Sequence, residues 1–264
     1  MVRKKTDEEE GELEEREEKK DKKSKKEKYI DAEKLLDEYI EEVEIGLGLS
    51  HLKLGKDLFK EIIKEPFISA VGQVKSKPKP KTIINRLNSS KDVLMEYVAA
   101  KLVRLVELSK LTDDQLEFLV FYSGRAVVDL APALYREVTR RGRTDLLDNL
   151  RYNWNLYGIK SPAKCPKCGF EAVMPDYSCK ICGYVLSSKE LKDSINLIPQ
   201  LEEMVRYDAE GLKEIISSGY LYYNSAGPIP PSRFKPKEME IYYEIVLNGQ
   251  EKSLLSKVYN THHP

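Results

Sequence analysis

The sequence has no long apolar run and no apolar block near its N-terminus. No stretch approaches the roughly 20 consecutive apolar residues of a membrane-spanning helix. The first residues are charged rather than hydrophobic, unlike those of a signal peptide. We therefore expect a soluble, cytoplasmic protein without a membrane partner. With 264 residues, 41% of them hydrophobic, the chain can fill two modest cores and still carry a tail.

Histidines and the common catalytic motifs are also scarce. The three histidines are His51 and the adjacent pair His262 and His263, which leaves no evident general base or catalytic metal ligand. No Walker loop, G-x-G-x-x-G fingerprint or G-x-S-x-G elbow occurs. We predict that the protein is not an enzyme, although a nuclease built from scattered carboxylates would escape this search.

Neither sign of charge is in excess. The chain has 44 Lys and Arg residues and 44 Asp and Glu residues, so its formal net charge is zero. Attraction to an anionic polymer must therefore come from local clusters of cations. Charged residues make up 33% of the chain and glutamine is scarce, which together favour a thermophilic source. Many of those charges lie in the first 30 residues, so the enrichment elsewhere is mild.

The only four cysteines form two C-x-x-C pairs, Cys165 with Cys168 and Cys179 with Cys182, and a glycine follows each pair. Clustered pairs are typical of a metal site in a reducing compartment rather than of a disulfide framework. Each pair with its glycine can form a tight knuckle whose backbone amides point at the sulfurs. Short strand candidates follow both knuckles. The segment 162–187 resembles a zinc ribbon.

Four thiolates fill the coordination sphere of one zinc ion, so no open position remains to activate water and the ion is expected to be structural. A rubredoxin-type iron centre, an iron–sulfur cluster and a redox pair of unbound cysteines are the alternatives. Zinc ribbons as a group occur in transcription, translation and RNA-processing proteins, so the resemblance implies a nucleic-acid context. Many ribbons, however, bind protein or only hold a small domain together.

Hydrophobic periodicity predicts a mainly α fold with a helical N-terminal domain, a central four-cysteine zinc ribbon and a C-terminal α+β domain. The tail is expected to be either solvated or a docking arm for a protein partner. The predicted segments are a disordered charged tail (1–28), a helical segment (29–73), a basic Lys/Pro linker or loop (74–90), a helical domain (91–158), the zinc ribbon (162–187) and the α+β domain (188–264).

The C-terminal region has the order helix, strand, long basic loop, strand, helix, with strand candidates at 220–223 and 240–247. This order resembles the distal half of winged-helix regulators. In that resemblance Lys213 lies on the groove-facing helix, and Arg233, Lys235 and Lys237 in the wing meet phosphates. The alternative is a hairpin packed on helices without a nucleic-acid role. Five tyrosines could stack bases, although alternating strand positions more often build core and cross-strand contacts; they are Tyr220, Tyr222, Tyr223, Tyr242 and Tyr243.

Two further groups of cations are candidates for contacts with phosphates. Between Val71 and Lys91 there is no acidic residue, and alternating Lys and Pro favour an extended backbone that could follow a phosphate chain or could simply be a solvated linker. This group comprises Lys75, Lys77, Lys79, Lys81, Arg86 and Lys91. The second group, at a predicted helix end where cations also favour the helix dipole, comprises Arg140, Arg141 and Arg143.

These patterns favour a non-enzymatic, zinc-containing accessory factor that binds nucleic acid in transcription or on ribosomal RNA, with DNA and RNA both open. The alternative is a protein-interaction scaffold in which the ribbon is only a structural staple and the lysines only solubilise the chain. The third hypothesis is an enzyme that zinc stabilises and whose active site matches no known sequence motif.

Overall fold

The computed structural model describes residues 30–72, 74 and 76–262. The predicted tail over 1–28, together with Lys75 and His263, lies outside the described residues. The described residues divide into two compact units, called unit 1 and unit 2, with the boundary between Leu102 and Val103. This division falls inside the predicted helical domain 91–158, and the domain boundaries taken from the sequence stay predictions.

Unit 1 is built from helices α1 (Ala32–Leu47), α2 (Lys56–Val71), α3 (Pro80–Asn88) and the greater part of α4 (Lys91–Leu105). Helix α1 begins at Asp31, whose carboxylate accepts hydrogen bonds from the amides of the first turn, and it ends at Gly48. Helices α1, α2 and α3 pack against one another. Their buried apolar side chains include Leu36, Val43, Phe59, Ile62, Phe67 and Ile83.

The second half of the predicted basic linker is helical, so the prediction of an extended linker over 74–90 is wrong for residues 80–88. Proline is well tolerated in the first turn of a helix, because its missing N–H has no helical partner there. Pro80 occupies this position in α3. Ile83 and Leu87, four residues apart, are then buried on one face. Burial of this face outweighs the extended preference of the Lys-Pro repeat.

Unit 2 begins with three helices: α5 (Asp113–Tyr122), α6 (Val127–Arg140) and α7 (Leu147–Tyr157). Helix α5 starts with a capping box, in which Thr112 and Gln115 exchange side-chain and backbone hydrogen bonds. Helix α6 continues through Pro132, and α7 packs against both α5 and α6. The segment that carries the four cysteines follows α7.

The C-terminal part of unit 2 contains α8 (Ser188–Ser194), α9 (Leu197–Tyr207), α10 (Ala209–Ser218), β1 (Tyr220–Asn224), β2 (Gly227–Ile229), β3 (Tyr243–Val246) and α11 (Gly249–His262). The strands form an antiparallel sheet in the order β2-β1-β3. Helices α9, α10 and α11 pack together beside it. The mainly α fold with a small C-terminal sheet is therefore confirmed for the part of the chain that the structure describes.

Strand β2 is absent from the sequence prediction. It pairs with β1 through a tight turn, so the long loop joins β2 to β3 rather than β1 to β3. Strand β3 is also shorter than the predicted 240–247. The order of helices and strands agrees with the predicted one apart from β2, and the winged-helix resemblance stays a prediction.

Among the described residues no single helix has the length and apolar character to cross a membrane. One pair, Asp113–Tyr122 with Gly124–Arg140, meets that test only when its two parts are joined across a 98° bend.

Candidate metal centre

The four cysteines come together as the sequence predicts. Their sulfur atoms all lie within 4.8 Å of one another. The Sγ atoms of Cys165 and Cys182 are 3.7 Å apart, and those of Cys168 and Cys179 are 3.5 Å apart. Neighbouring sulfurs around a tetrahedral zinc ion with bonds of about 2.3 Å lie about 3.8 Å apart. The donor set therefore fits a single tetrahedral metal ion, with no protein ligand missing.

The knuckles have the local backbone geometry that thiolate ligands need. Gly169 and Gly183 adopt φ values of 77° and 69°, in the left-handed region that side chains rarely occupy. The contact with the Cys168 sulfur, followed by the backbone amides of Cys182 and Ile181, lowers the pKa of the Cys179 thiol. Amides directed at sulfur stabilise the anionic form that binds a metal.

The centre is closed and mostly shielded from solvent. Three of the four cysteines are buried, and Cys182 is partly exposed. A closed four-thiolate site leaves no coordination position for substrate or activated water. It can therefore hold a fold together, but it offers no Lewis-acid chemistry to a bound molecule.

Helix α7 is attached to the metal-binding segment through its side chains. The Arg151 guanidinium donates to the carbonyl of Cys168 at 3.0 Å, and the Trp154 indole donates to the carbonyl of Glu171 at 3.0 Å. The buried ring of Phe170 meets Trp154 and Tyr135 edge to face. The first knuckle is thus fixed to the helical part of unit 2.

The C-terminal sheet is attached to the other side of the same segment. Tyr243, fully buried on β3, donates through its hydroxyl to the carbonyl of Val173 at 3.0 Å and lies 2.7 Å from the Ser161 hydroxyl. The Tyr177 hydroxyl donates to the carbonyl of Glu244 at 2.6 Å. Burial raises the pKa of Tyr243 to about 12. The metal-binding segment therefore links helix α7 to strand β3.

The first cation cluster is partly engaged in contacts within unit 1. Lys77 forms an ion pair with Glu38 and lies over the Tyr39 ring, and Arg86 donates to the carbonyl of Ala70 at 2.7 Å. The remaining described members of the cluster are Lys79, Lys81 and Lys91. All three are exposed, and none has an acidic partner among the described residues.

The arginine cluster is engaged with carboxylates. Glu137 accepts from both Arg140 and Arg141, and Arg140, ahead of Arg141, holds the pKa of Glu137 down at about 2. Arg141 also reaches Asp113 and backbone carbonyls before α5. Arg143 pairs with Asp145 and Glu117. These contacts hold the helices of unit 2 together. They do not support nucleic-acid binding by the arginine cluster, which stays a prediction.

The C-terminal cations fall into two classes. Arg233 pairs with Asp208 at 2.8 Å, and that carboxylate also caps α10, so the pair fixes the β2–β3 loop to the helix. Lys213, Lys235 and Lys237 are exposed, and none has an acidic partner among residues 30–262 that the structure describes. Only these three predicted C-terminal cations are therefore available to an external anion.

The five tyrosines noted in the sequence separate into two faces of the sheet. Tyr223 and Tyr243, which are paired across β1 and β3, are buried, whereas Tyr220, Tyr222 and Tyr242 are partly exposed. Sequence analysis did not include Phe234, whose ring stacks on Tyr222 at a centroid distance of 3.9 Å. The alternation of side chains along a strand predicts that Tyr222 and Tyr223 lie on opposite faces of the sheet. Phe234 lies in an irregular loop, so no sequence pattern predicts its contact with Tyr222.

No family model, curated protein or solved structure matches the chain.

Proposed function

We propose that the protein is a non-enzymatic factor that binds nucleic acid through unit 2, and that one zinc ion in the four-cysteine centre holds this unit together. Zinc is proposed because closed four-thiolate sites of this geometry are its usual structural sites. Iron would fit the same tetrahedron of sulfurs. Metal analysis of the purified protein, together with its visible absorption, separates colourless zinc from coloured iron.

One observation carries the proposal: the β2–β3 loop presents two exposed lysines from an anchored backbone. Ser232 donates through its amide and hydroxyl to the Glu214 carboxylate, and Arg233 pairs with Asp208. Lys235 and Lys237 follow directly. An anchored loop loses less conformational entropy on binding, so its cations contribute more of their attraction to phosphates.

The test is fluorescence anisotropy of the zinc-loaded protein with labelled nucleic acids over a salt series. Lys235→Gln/Lys237→Gln should weaken binding and lower the slope of log affinity against log salt by about 1.4 for two single-strand phosphate contacts. Lys56→Gln/Lys189→Gln, which removes the same charge from two exposed lysines that are not part of this loop, should leave the slope unchanged. Equal effects of the two double variants would refute the assignment of the loop.

A protein-interaction scaffold is the second candidate, and an apolar groove in unit 1 favours it. The groove has a volume of about 540 Å³ and is lined by side chains of α2, α3 and α4, among them Pro66, Leu87 and Tyr97. Val93 at its edge is 70% exposed. Exposed apolar patches of this kind often mark protein contacts. The scaffold predicts no binding of any nucleic acid, even at low salt.

A further inference from the structure

We propose that the outward face of the C-terminal sheet binds the unpaired bases of a single-stranded nucleic acid by stacking them on its aromatic rings. This inference rests on the proposed function and names its substrate class. The surface, called the aromatic face below, consists of Tyr220, Tyr222, Phe234 and Tyr242.

The register of the sheet places these rings on one side. Along β1, Leu221 and Tyr223 point to the core and are buried, whereas Tyr220 and Tyr222 point outward and are partly exposed. Opposite them on β3 lie Val246 and Glu244. Val246 is 67% exposed. The outward side of the sheet therefore remains in contact with solvent.

The rings of the aromatic face touch one another without closing the surface. Phe234 stacks on Tyr222, and this contact holds the β2–β3 loop against the sheet. Tyr220 meets Tyr222 edge to face at 6.1 Å, and Tyr242 meets Phe234 at 4.7 Å with an interplanar angle of 61°. All four rings remain partly exposed to solvent, although Phe234 covers one face of Tyr222. Flat bases stack on such platforms with little dependence on sequence.

Charges of both signs border the aromatic face, and they indicate the side from which a phosphate backbone approaches. Lys235 and Lys237 follow Phe234 in the loop and are exposed without an acidic partner among the described residues, whereas Glu238 and Glu240 come next in the chain and Glu240 accepts a hydrogen bond from Asn224. Glu244 lies on the face itself, opposite Tyr222, and is exposed. A phosphate backbone is expected to follow the lysines and to avoid this carboxylate. A duplex hides its bases, whereas a single strand offers bases and phosphates together.

The experiment measures affinity of the zinc-loaded full chain for four labelled polymers of equal length: single-stranded DNA, single-stranded RNA, duplex DNA and an abasic single strand. The abasic strand keeps the phosphates and removes the bases. We expect it to bind at least about tenfold more weakly than the normal strand, because stacking of one base contributes about that factor. The ratio between the DNA and RNA strands identifies the natural polymer.

Variants locate the site. Tyr220→Leu/Tyr242→Leu should reduce binding of the normal strand by about tenfold or more and leave binding of the abasic strand unchanged. Glu244→Gln should strengthen binding of both strands, because it removes a charge that repels phosphate. Tyr152→Leu, at an exposed tyrosine on α7, is the matched control. Melting temperature and zinc content must equal those of the wild type.

Each outcome separates the inference from the proposed function. Equal binding of normal, abasic and duplex polymers, with the loop lysines still required, would overturn base stacking and keep nucleic-acid binding. Absence of binding to every polymer at low salt would overturn both. Salt-insensitive binding of a proline-rich peptide to the aromatic face, without nucleic-acid binding, would also overturn both and assign the surface to a protein partner.

Discussion

At the level of single residues, the cysteines and glycines of the metal centre show how local sequence defines chemistry. A C-x-x-C-G repeat needs only a turn with one left-handed residue to direct amides at sulfur, and Gly169 and Gly183 supply that residue. The spacing therefore predicts each knuckle correctly. The 3.5 and 3.7 Å sulfur separations also require that the two knuckles face each other. Backbone pairing within the segment meets that requirement: Val173 pairs with Cys179, and the amide of Lys180 donates to the carbonyl of Ala172 at 2.9 Å.

Replacement of one ligand tests the centre directly. Cys179→Ser should bind substoichiometric zinc and melt at a lower temperature, with a loss of at least about 2 kcal/mol, because the free energy of metal binding contributes to folding. Metal analysis and thermal unfolding measure the two effects. Val185→Ser, at an exposed position of the same segment, should retain its metal. Unchanged zinc content and melting of Cys179→Ser would contradict the metal assignment.

At the level of elements, two tyrosine hydroxyls attach strand β3 to the metal-binding segment, and that of Tyr243 is the buried one. Tyr243 is buried, and its hydroxyl contacts Val173 and Ser161, which are 70 and 82 positions away in sequence. No local pattern predicts such a partner, because the tyrosine is only one of two inward residues of a short strand. The contribution of the Tyr243 hydroxyl to the free energy of unfolding can be measured as a function of pH.

Tyr243→Phe should destabilise the protein by about 1–2 kcal/mol at neutral pH, since it leaves the Val173 carbonyl without its donor. Tyr243 has a pKa raised from 10.0 to about 12 in the folded protein. Its favourable contribution is therefore present below pH about 10 and is lost as the pH rises towards 12. The difference in unfolding free energy between wild type and variant should shrink over this range.

Chemical denaturation at pH 7, 10 and 11.5 measures that difference. Tyr152→Phe removes an exposed hydroxyl and serves as the control, with no expected change at any pH. A difference between wild type and Tyr243→Phe that stays constant from pH 7 to 11.5 would show that the buried hydroxyl is not coupled to folding.

At the level of the whole molecule, the metal centre lies between elements distant in sequence. Helix α7 contacts the cysteine segment through Arg151 and Trp154, and strand β3 contacts it through Tyr243. We therefore expect a metal ion bound here to stabilise all of unit 2 rather than the cysteine segment alone. Unit 1 has a helical core of its own, formed by α1, α2 and α3.

Chelation of the metal should therefore affect the two units unequally. We expect faster amide hydrogen exchange in α7, the cysteine segment and β3 after removal of zinc, and little change in α1 and α2. Hydrogen exchange with mass spectrometry of the full chain, with and without chelator, measures this difference. Equal protection of β3 in both states would mean that the centre is not the link between the sheet and the helices.

The sequence alone identifies the four clustered cysteines and the mainly α character of the chain, because both depend on residues within a few positions of one another. It did not determine that residues 80–88 are helical, since burial of Ile83 and Leu87 against other helices decides this. Nor did it show which cations are engaged: Arg141 and Lys235 look alike in sequence, and only the fold places carboxylates beside one of them. The aromatic face likewise exists only because sheet register and a loop bring Phe234 onto Tyr222. Contacts between residues distant in the chain carry no local pattern, so they emerge only with the tertiary structure.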